Sequence, residues 1–321
     1  MNNDFQQLFH RYGNNPILTI GDWPYPANSV FNAGATWLAT GETLLLVRVE
    51  DCRGISHLTA VRSANGVSDW KIDREPTFRP DPDQHPEEVW GIEDPRITWV
   101  PELDRYAIVY TSYSTSGPLV SMAITEDFQT FERRGAVMPP DDKDAALFPR
   151  RFGGRWALLH RPIGSQAANK ANIWLSFSPD LKHWGDHTVL LEARRGPWWD
   201  ANKIGLSPPP IETSEGWLII YHGVRVTSAG CIYRLGLALL DLDNPCRVLW
   251  RGDEWVFGPD EPYERVGDVG DVVFPCGTIH DRMTGELRMY YGAADTSVAL
   301  ATANVNELVG WLKSTEAHRV S

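Results

Sequence analysis

Ser178-Pro179-Asp180-Leu181-Lys182-His183-Trp184 has two earlier counterparts, Ser63-Ala64-Asn65-Gly66-Val67-Ser68-Asp69-Trp70 and Thr125-Glu126-Asp127-Phe128-Gln129-Thr130-Phe131. Each is a polar turn followed, a few residues on, by an aromatic side chain. Trp70, Phe131 and Trp184 stand 61 and 53 residues apart. A period of about 55 to 60 residues is too long for a hairpin and suits a four-stranded propeller blade, slightly larger than the kelch-type unit of about 50. Divided into 321 residues, it gives five blades and a remainder. A pair of β-sandwiches with unrelated aromatic turns is the alternative.

Working outward from these turns, short apolar or alternating runs recur at 44–49, 106–111, 119–123, 156–160, 173–177, 217–222, 235–240, 272–274, 287–291 and 298–301. Clusters of Gly, Pro, Asp and Asn separate them, so all read as strands. Only 305–313 has helical spacing, with Leu308, Val309 and Leu312 on one face. A short helix is also expected near 2–12, where it could pack on a neighbour and make the protein a homo-oligomer. No linker or low-complexity segment interrupts the pattern. The expected fold is all-β: one five-bladed β-propeller over residues 1–321, with short terminal helical segments.

The chain has 42 acidic and 30 basic residues, a formal charge of -12. That balance argues against nucleic acid or an anionic membrane as partner, so any bound anion must meet a local basic pocket. No apolar stretch approaches the roughly 18 residues of a membrane span. The start, Met1-Asn2-Asn3-Asp4-Phe5-Gln6, lacks a basic region followed by an apolar one, so a soluble cytoplasmic protein is expected. Cys52, Cys231, Cys246 and Cys276 have neither metal-binding nor redox spacing and read as reduced core thiols; no metal is implied.

Charged motifs interrupt the apolar pattern. Gly91-Ile92-Glu93-Asp94-Pro95-Arg96-Ile97-Thr98 sets two acids and an arginine around a proline. Pro95 is expected to push Asp94 toward extended geometry, with Arg96 on the same side. The pair is then either structural or a placed acid. Further candidates are Arg48, Asp144, Arg150, Lys203, His222 and Asp295. A cation inside an apolar strand needs an anion. Either Glu50, Asp51, Glu93 and Asp144 supply it, or several cations from different blades share one, such as phosphate. Of the fourteen tryptophans, Trp37, Trp90, Trp198 and Trp199 flank these motifs, and an exposed indole offers a flat platform to a sugar ring. Trp198-Trp199-Asp200 is the pair expected at a mouth.

Taken in order, Phe31-Asn32-Ala33-Gly34, Arg48-Val49-Glu50-Asp51 with Gly54-Ile55-Ser56-His57, Gly91 to Arg96, Leu147-Phe148-Pro149-Arg150, Pro210-Ile211-Glu212-Thr213-Ser214-Glu215-Gly216-Trp217, Tyr221-His222-Gly223-Val224 and Tyr290-Tyr291-Gly292-Ala293-Ala294-Asp295-Thr296 resemble the β-mannoside phosphorylases of glycoside hydrolase family 130. The resemblance runs from about residue 15 to 305 and implies a five-bladed propeller. It also implies inverting phosphorolysis of a β-mannoside to α-mannose 1-phosphate, with inorganic phosphate as co-substrate and no cofactor. Asp94 matches the family's proton donor, acting through the mannose 3-hydroxyl. Arg48, Arg150, Lys203 and His222 match phosphate-holding positions, and Asp295 a residue gripping the donor mannose. Asn32, Glu93, Arg96, Asp144, Trp199 and Asp271 complete the expected substrate contacts.

The chemistry is coherent. An inverting glycosidase needs a second carboxylate to activate water, whereas phosphate is already anionic and needs only to be held. The chain departs from relatives at Gly270-Asp271, where Pro-Asn is common near the acceptor site. The expected substrates, in order, are β-1,4-mannooligosaccharide or mannosyl-N-acetylglucosamine, then mannosylglucose, then a 1,2-linked mannoside. A hydrolase of the same fold should lack the basic cradle, and a non-catalytic sugar-binding propeller could dispense with Asp94.

Overall fold

The computed structural model describes residues 7–163, 170–228, 230–314 and 318–320. After β1 (His10–Arg11), blade one is β2 (Ser29–Trp37), β3 (Thr43–Glu50), β4 (Ser56–Ser63) and β5 (Lys71–Ile72). Blade two is β6 (Ile92–Val100), β7 (Arg105–Ser114), β8 (Gly117–Thr125) and β9 (Glu132–Ala136). Blade three is β10 (Asp142–Leu147), β11 (Trp156–Pro162), β12 (Ile173–Ser178) and β13 (Gly185–Leu191). Blade four has β14 (Lys203–Leu206), β15 (Ile211–Thr213), β16 (Gly216–Thr227), β17 (Gly230–Leu240) and β18 (Val248–Arg251). Blade five is β19 (Val273–His280), β20 (Glu286–Ala293) and β21 (Ser297–Asn304), completed by β1. Five separate antiparallel sheets around one axis exclude the sandwich alternative.

The repeated turn has one physical basis in every blade. At the end of the third strand a short polar side chain accepts two main-chain N–H groups. Asn65 Oδ1 takes those of Val67 and Ser68, both at 2.9 Å, and Asp127 Oδ1 those of Gln129 and Thr130 at 2.8 and 2.9 Å. Asp180 Oδ1 takes those of Lys182 and His183 at 3.0 and 2.8 Å, and Asp241 Oδ1 those of Asp243 and Asn244, both at 3.0 Å. Asn304 makes the same pair of bonds to Asn306 and Glu307, and here the turn runs on into α2 (Val305–Lys313), the expected helix. The aromatics that follow lie at blade seams: Trp70 meets Tyr290 of blade five edge-on, and Phe131 packs on Phe78 with ring centroids 4.6 Å apart. Apolar layers between blades form the core, as where Leu45, Val47 and Val61 meet Ile279, Tyr290 and Leu300.

β1 closes the ring by pairing with β21, His10 opposite Thr302 and Arg11 opposite Ala301. Arg11 anchors the closure through the buried carboxylate of Glu264, 2.8 Å from both Nε and Nη2, which also accepts Tyr291 OH at 2.8 Å. Glu264 sits in a four-residue helix, α1 (Pro262–Arg265), that the sequence pattern did not announce. The expected N-terminal helix is corrected where it can be examined: His10–Arg11 is a strand, because the edge of β21 offers it a ladder, and residues 1–6 lie outside the described residues. The cysteines are corrected too. Only Cys276 is buried; Cys52, Cys231 and Cys246 lie in turns or at a strand end and are exposed. Among the described residues no helix is long and apolar enough to cross a membrane.

The inner strands β2, β6, β10, β14 and β19 all start at the same end of the axis. In four of them the register with the next strand slips near that end, between Phe31 and Gly34, Glu93 and Arg96, Lys143 and Ala146, and Pro275 and Gly277. Each of the first three slips contains one residue in the left-handed region: Asn32 at φ 47°, Asp94 at 51° and Asp144 at 53°. Asn and Asp tolerate that conformation better than other side-chain-bearing residues, and a bulge re-aims the side chain it carries. The extended geometry expected of Asp94 is thereby corrected: the bulge overrides the preference imposed by Pro95.

Candidate active site

The three bulges turn Asn32, Asp94 and Asp144 toward the axis from successive blades. Asp94 Oδ1 accepts Asn32 Nδ2 at 2.9 Å and Arg48 Nη1 at 3.1 Å. Arg48 comes from β3, opposite Phe31, with its guanidinium 4.6 Å from that ring centroid. Its Nε donates to Ser56 Oγ at 2.9 Å and its Nη2 to Glu93 Oε1 at 3.1 Å, so one arginine spans both acids of the motif. Burial pushes the Asp94 carboxyl up, but Arg48, Lys143, Arg96 and the Asn32 amide together hold it below the ordinary carboxylate range. Asp295 is pushed the other way: burial raises it to about 7, helped by the nearby Asp94 charge and opposed by Arg48. One acid of this group is thus ionised at neutral pH while the other is poised to titrate.

Asp144 is fully buried and forms a second hub. Its Oδ2 accepts Arg161 Nε at 2.6 Å and lies 3.3 Å from His222 Nε2, while its Oδ1 is 3.4 Å from Arg96 Nη2. Against the cost of burial, Arg161 and His222 hold this carboxyl well below its usual range. Burial lowers the His222 imidazole, which packs 4.7 Å from the Phe274 ring and has Nδ1 3.3 Å from Ser207 Oγ. A neutral ring that donates from Nε2 to Asp144 and accepts at Nδ1 satisfies both contacts. Gly205 permits this packing, since a β-carbon there would lie 2.4 Å from Asp144 Oδ2 and 2.6 Å from the His222 ring.

Arg96 fills the space between the hubs. Its Nε and Nη2 donate to the carbonyls of Ser207 and Leu206 at 3.1 and 3.2 Å, so it ties blade two to blade four. Two lysines complete the positive lining. Lys143 lies next to Asp144 on β10, opposite Arg161, and is the second-largest cationic influence on Asp94. Lys203 opens β14, two residues before Gly205 and so on the same face of the strand. Among the described residues neither ammonium makes a hydrogen bond or an ion pair.

The structure therefore gathers Asn32, Arg48, Glu93, Asp94, Arg96, Asp144, Lys203, His222 and Asp295 at one end of the axis. Asp271 stands at the rim, exposed on the segment leading into β19, where its carbonyl accepts Tyr233 N at 3.5 Å. Two expectations are corrected. Arg150 follows the far end of β10 and so lies at the opposite end of the axis. There it donates to Leu242 O at 2.6 Å, approaches Glu212 and Asp243, and lies 4.9 Å from the Phe152 ring. Trp199 is no platform: it is buried, stacked on Tyr221 at 5.6 Å, with Nε1 donating to Asp253 O at 2.9 Å. Its neighbour Trp198 is the exposed indole, with Arg194 4.8 Å from its ring. Sequence reasoning missed Lys143 and Arg161 as members of the site. The available signal was that Arg161, like Arg48, is a cation near the end of an apolar strand.

The chain matches the profile of glycoside hydrolase family 130, described as β-1,4-mannooligosaccharide phosphorylase, over residues 23–314. It is 35% identical to the β-1,4-mannooligosaccharide phosphorylase of Ruminococcus albus over 317 residues, 97% of this chain and 92% of that protein. It is 37% identical to the β-1,2-mannobiose phosphorylase of Listeria innocua over 259 residues, 81% of this chain and 69% of that one. Among solved structures, the Listeria innocua β-1,2-mannobiose phosphorylase in complex with β-1,2-mannobiose superposes with a TM-score of 0.86 at 30% identity, covering 96% of this chain and 99% of that one.

Proposed function

The chain belongs to glycoside hydrolase family 130, and on that premise we propose that it is a phosphorylase that cleaves β-mannosides with inversion, giving α-mannose 1-phosphate and a shortened acceptor. The observation that carries the reading is the pair of ammonium groups, Lys143 and Lys203, which make no hydrogen bond or ion pair among the described residues and stand with Arg48, Arg161 and His222 at one end of the axis. A small multivalent oxyanion satisfies them together.

In this reading Asp94 is the acid. Its proton passes through the mannose 3-hydroxyl to the leaving oxygen as the C1–O bond breaks and a phosphate oxygen bonds to C1 from the opposite face. The free site holds Asp94 ionised because Arg48 and Lys143 face it. Phosphate seated among those cations offsets their pull, so the acid acquires its proton only when the nucleophile is in place. Asn32 and Asp295 hold the donor sugar. Asp144 and Arg96 bind no substrate in this scheme; they keep Arg161 and His222 aimed at the axis.

A β-1,4-linked mannooligosaccharide or mannosyl-N-acetylglucosamine is the proposed substrate, supported by the family description and by the near-full-length Ruminococcus albus relative. The test is a phosphate titration with mannooligosaccharides. Breakdown should require phosphate and yield mannose 1-phosphate, whereas undiminished turnover without phosphate overturns the reading. Acceptor screening with mannose 1-phosphate in the synthetic direction fixes the linkage.

A further inference from the structure

Four polar side chains cross blade three in a single line, and the mechanism above uses none of them. Asp142 Oδ2 on β10 lies 2.6 Å from His160 Nδ1 on β11, His160 Nε2 lies 2.7 Å from Ser176 Oγ on β12, and Ser176 Oγ lies 2.6 Å from His187 Nδ1 on β13. Asp142, His160 and Ser176 are buried, and His187 is exposed on the outermost strand. The line depends on an irregularity between Leu175 and Phe177 in the β12–β13 pairing, which sets His187 beside Ser176. Ser176 looks like the nucleophile of a Ser-His-Asp triad, but it is fully buried, so no substrate reaches it.

The inner end of the line touches the proposed anion site. Asp142 Oδ1 accepts the main-chain N–H of Arg161 at 3.1 Å, and Arg161 Nε reaches Asp144. Lys143 sits directly opposite Arg161 in the same ladder. We propose that Asp142, His160, Ser176 and His187 form a proton relay that positions the rung carrying Lys143 and Arg161 and makes phosphate capture respond to protonation at His187. The proposal rests on the phosphorylase reading.

Two hydrogen arrangements fit the same heavy atoms. In the first, His187 Nδ1–H donates to Ser176, the Ser176 hydroxyl donates to His160 Nε2, and His160 Nδ1–H donates to the Asp142 carboxylate. A proton added from water at His187 Nε2 allows each of the three hydrogens to shift one bond inward. Ser176 then donates to His187, His160 Nε2–H donates to Ser176, and a neutral Asp142 donates to His160 Nδ1. The net result is one solvent proton delivered to Asp142, and one negative charge removed from behind Arg161, with no atom other than hydrogen displaced. Burial, which raises the Asp142 carboxyl, favours the second state.

The charged groups around the relay are few. Arg161 faces Asp142 from β11, the exposed Asp141 precedes it, and the surface pair Arg155 and Asp186 flanks the outer end. Residues 112–121 of the β7–β8 hairpin, on the strands of blade two that pack against β10, carry no acidic or basic side chain.

The test is the KM for inorganic phosphate in wild type, His187→Ala, Ser176→Ala and the double variant, from about pH 8.5 down to about pH 5.5, where imidazoles change charge. The ratio of variant to wild type cancels the titration of phosphate itself. For each single variant it is expected to be near one at high pH and to rise to about threefold at the low end, with kcat little changed, the size of effect one nearby charge gives in a partly screened site. The double variant should match either single variant. A ratio that stays flat with pH overturns the relay, and so do additive effects, which mark His187 as an ordinary surface charge. If Ser176→Ala fails to fold, His160→Gln replaces it as the interrupted link. Turnover independent of phosphate in wild type instead overturns the phosphorylase reading.

Discussion

Arg96 and Asp94 stand two residues apart on β6 yet form no side-chain ion pair. Arg96 Nη1 donates to the main-chain oxygen of Asp94 at 2.9 Å, while the Asp94 carboxylate turns to Arg48. The arginine of the motif is therefore a brace across blades two, three and four, and the arginine that faces the acid comes from a different blade.

The bracing role fixes what Arg96→Met should do. The guanidinium is fully buried and serves Asp144 and three carbonyls, so its loss leaves a carboxylate and carbonyls short of donors. Removing one partner of such a buried network costs about 3–5 kcal/mol. Urea denaturation should show a loss of that order, and a change below about 1 kcal/mol would contradict the assignment.

Asp94→Asn keeps the shape and the contact with Asn32 but has no proton to give. Mannose 1-phosphate release should fall by about 10²- to 10⁴-fold, the usual contribution of a positioned acid. Mannoside binding measured by calorimetry should change little. Retention of most of the rate would move the acid role elsewhere, with Asp295 the next carboxyl to test.

Opposite ends of the axis separate two cations that look alike in sequence. Lys143→Ala should raise the KM for phosphate by roughly tenfold or more, as expected when a charge-assisted hydrogen bond is removed. Arg150→Ala should leave that KM within about twofold, because its guanidinium serves Leu242, Glu212 and Asp243. Steady-state kinetics on the two variants decides the matter.

Asp295 gives a pH signature in stability. Folding raises its carboxyl to about 7, above the roughly 3.9 of an unfolded aspartate, so the folded chain prefers the protonated form. Its contribution is complete below about pH 4 and is lost as the pH rises through about 7. Asp295→Asn should therefore flatten the decline in stability between those limits, measured as melting temperature against pH. An unchanged profile would mean that the carboxyl is ionised across this range.

The parts of the molecule legible in sequence were those governed by local chemistry. The second and third strands of the blades alternate or run apolar, and all but β4 (Ser56–Ser63) were found. The polar turns betrayed the repeat because each needs a short acceptor side chain at the same place. The inner strands β2, β6, β10 and β14 were not picked out as strands: β2, β6 and β10 carry bulges, with ionic groups in the last two, that break the period of two on which a strand is recognised, and β14 is only four residues long. Site membership was harder to read, since it depends on direction. Nothing local tells that β10 starts at the proposed anion site and ends away from it, which brings Lys143 in and takes Arg150 out. The Trp198-Trp199 pair was off by one residue: in the turn before β14 Trp199 is folded inward and Trp198 is the outward indole.

The pairing of β1 with β21 has a temporal meaning. β1 leaves the ribosome before any blade and finds its hydrogen-bonding partner only after the fifth blade has been made, so the circle cannot be sealed on a chain that has not reached β21. The inward-turned acids and arginines of the early blades must wait, exposed to water, until the last blade arrives to enclose them. Synthesis of the fifth blade and creation of the central hollow are one event in this architecture.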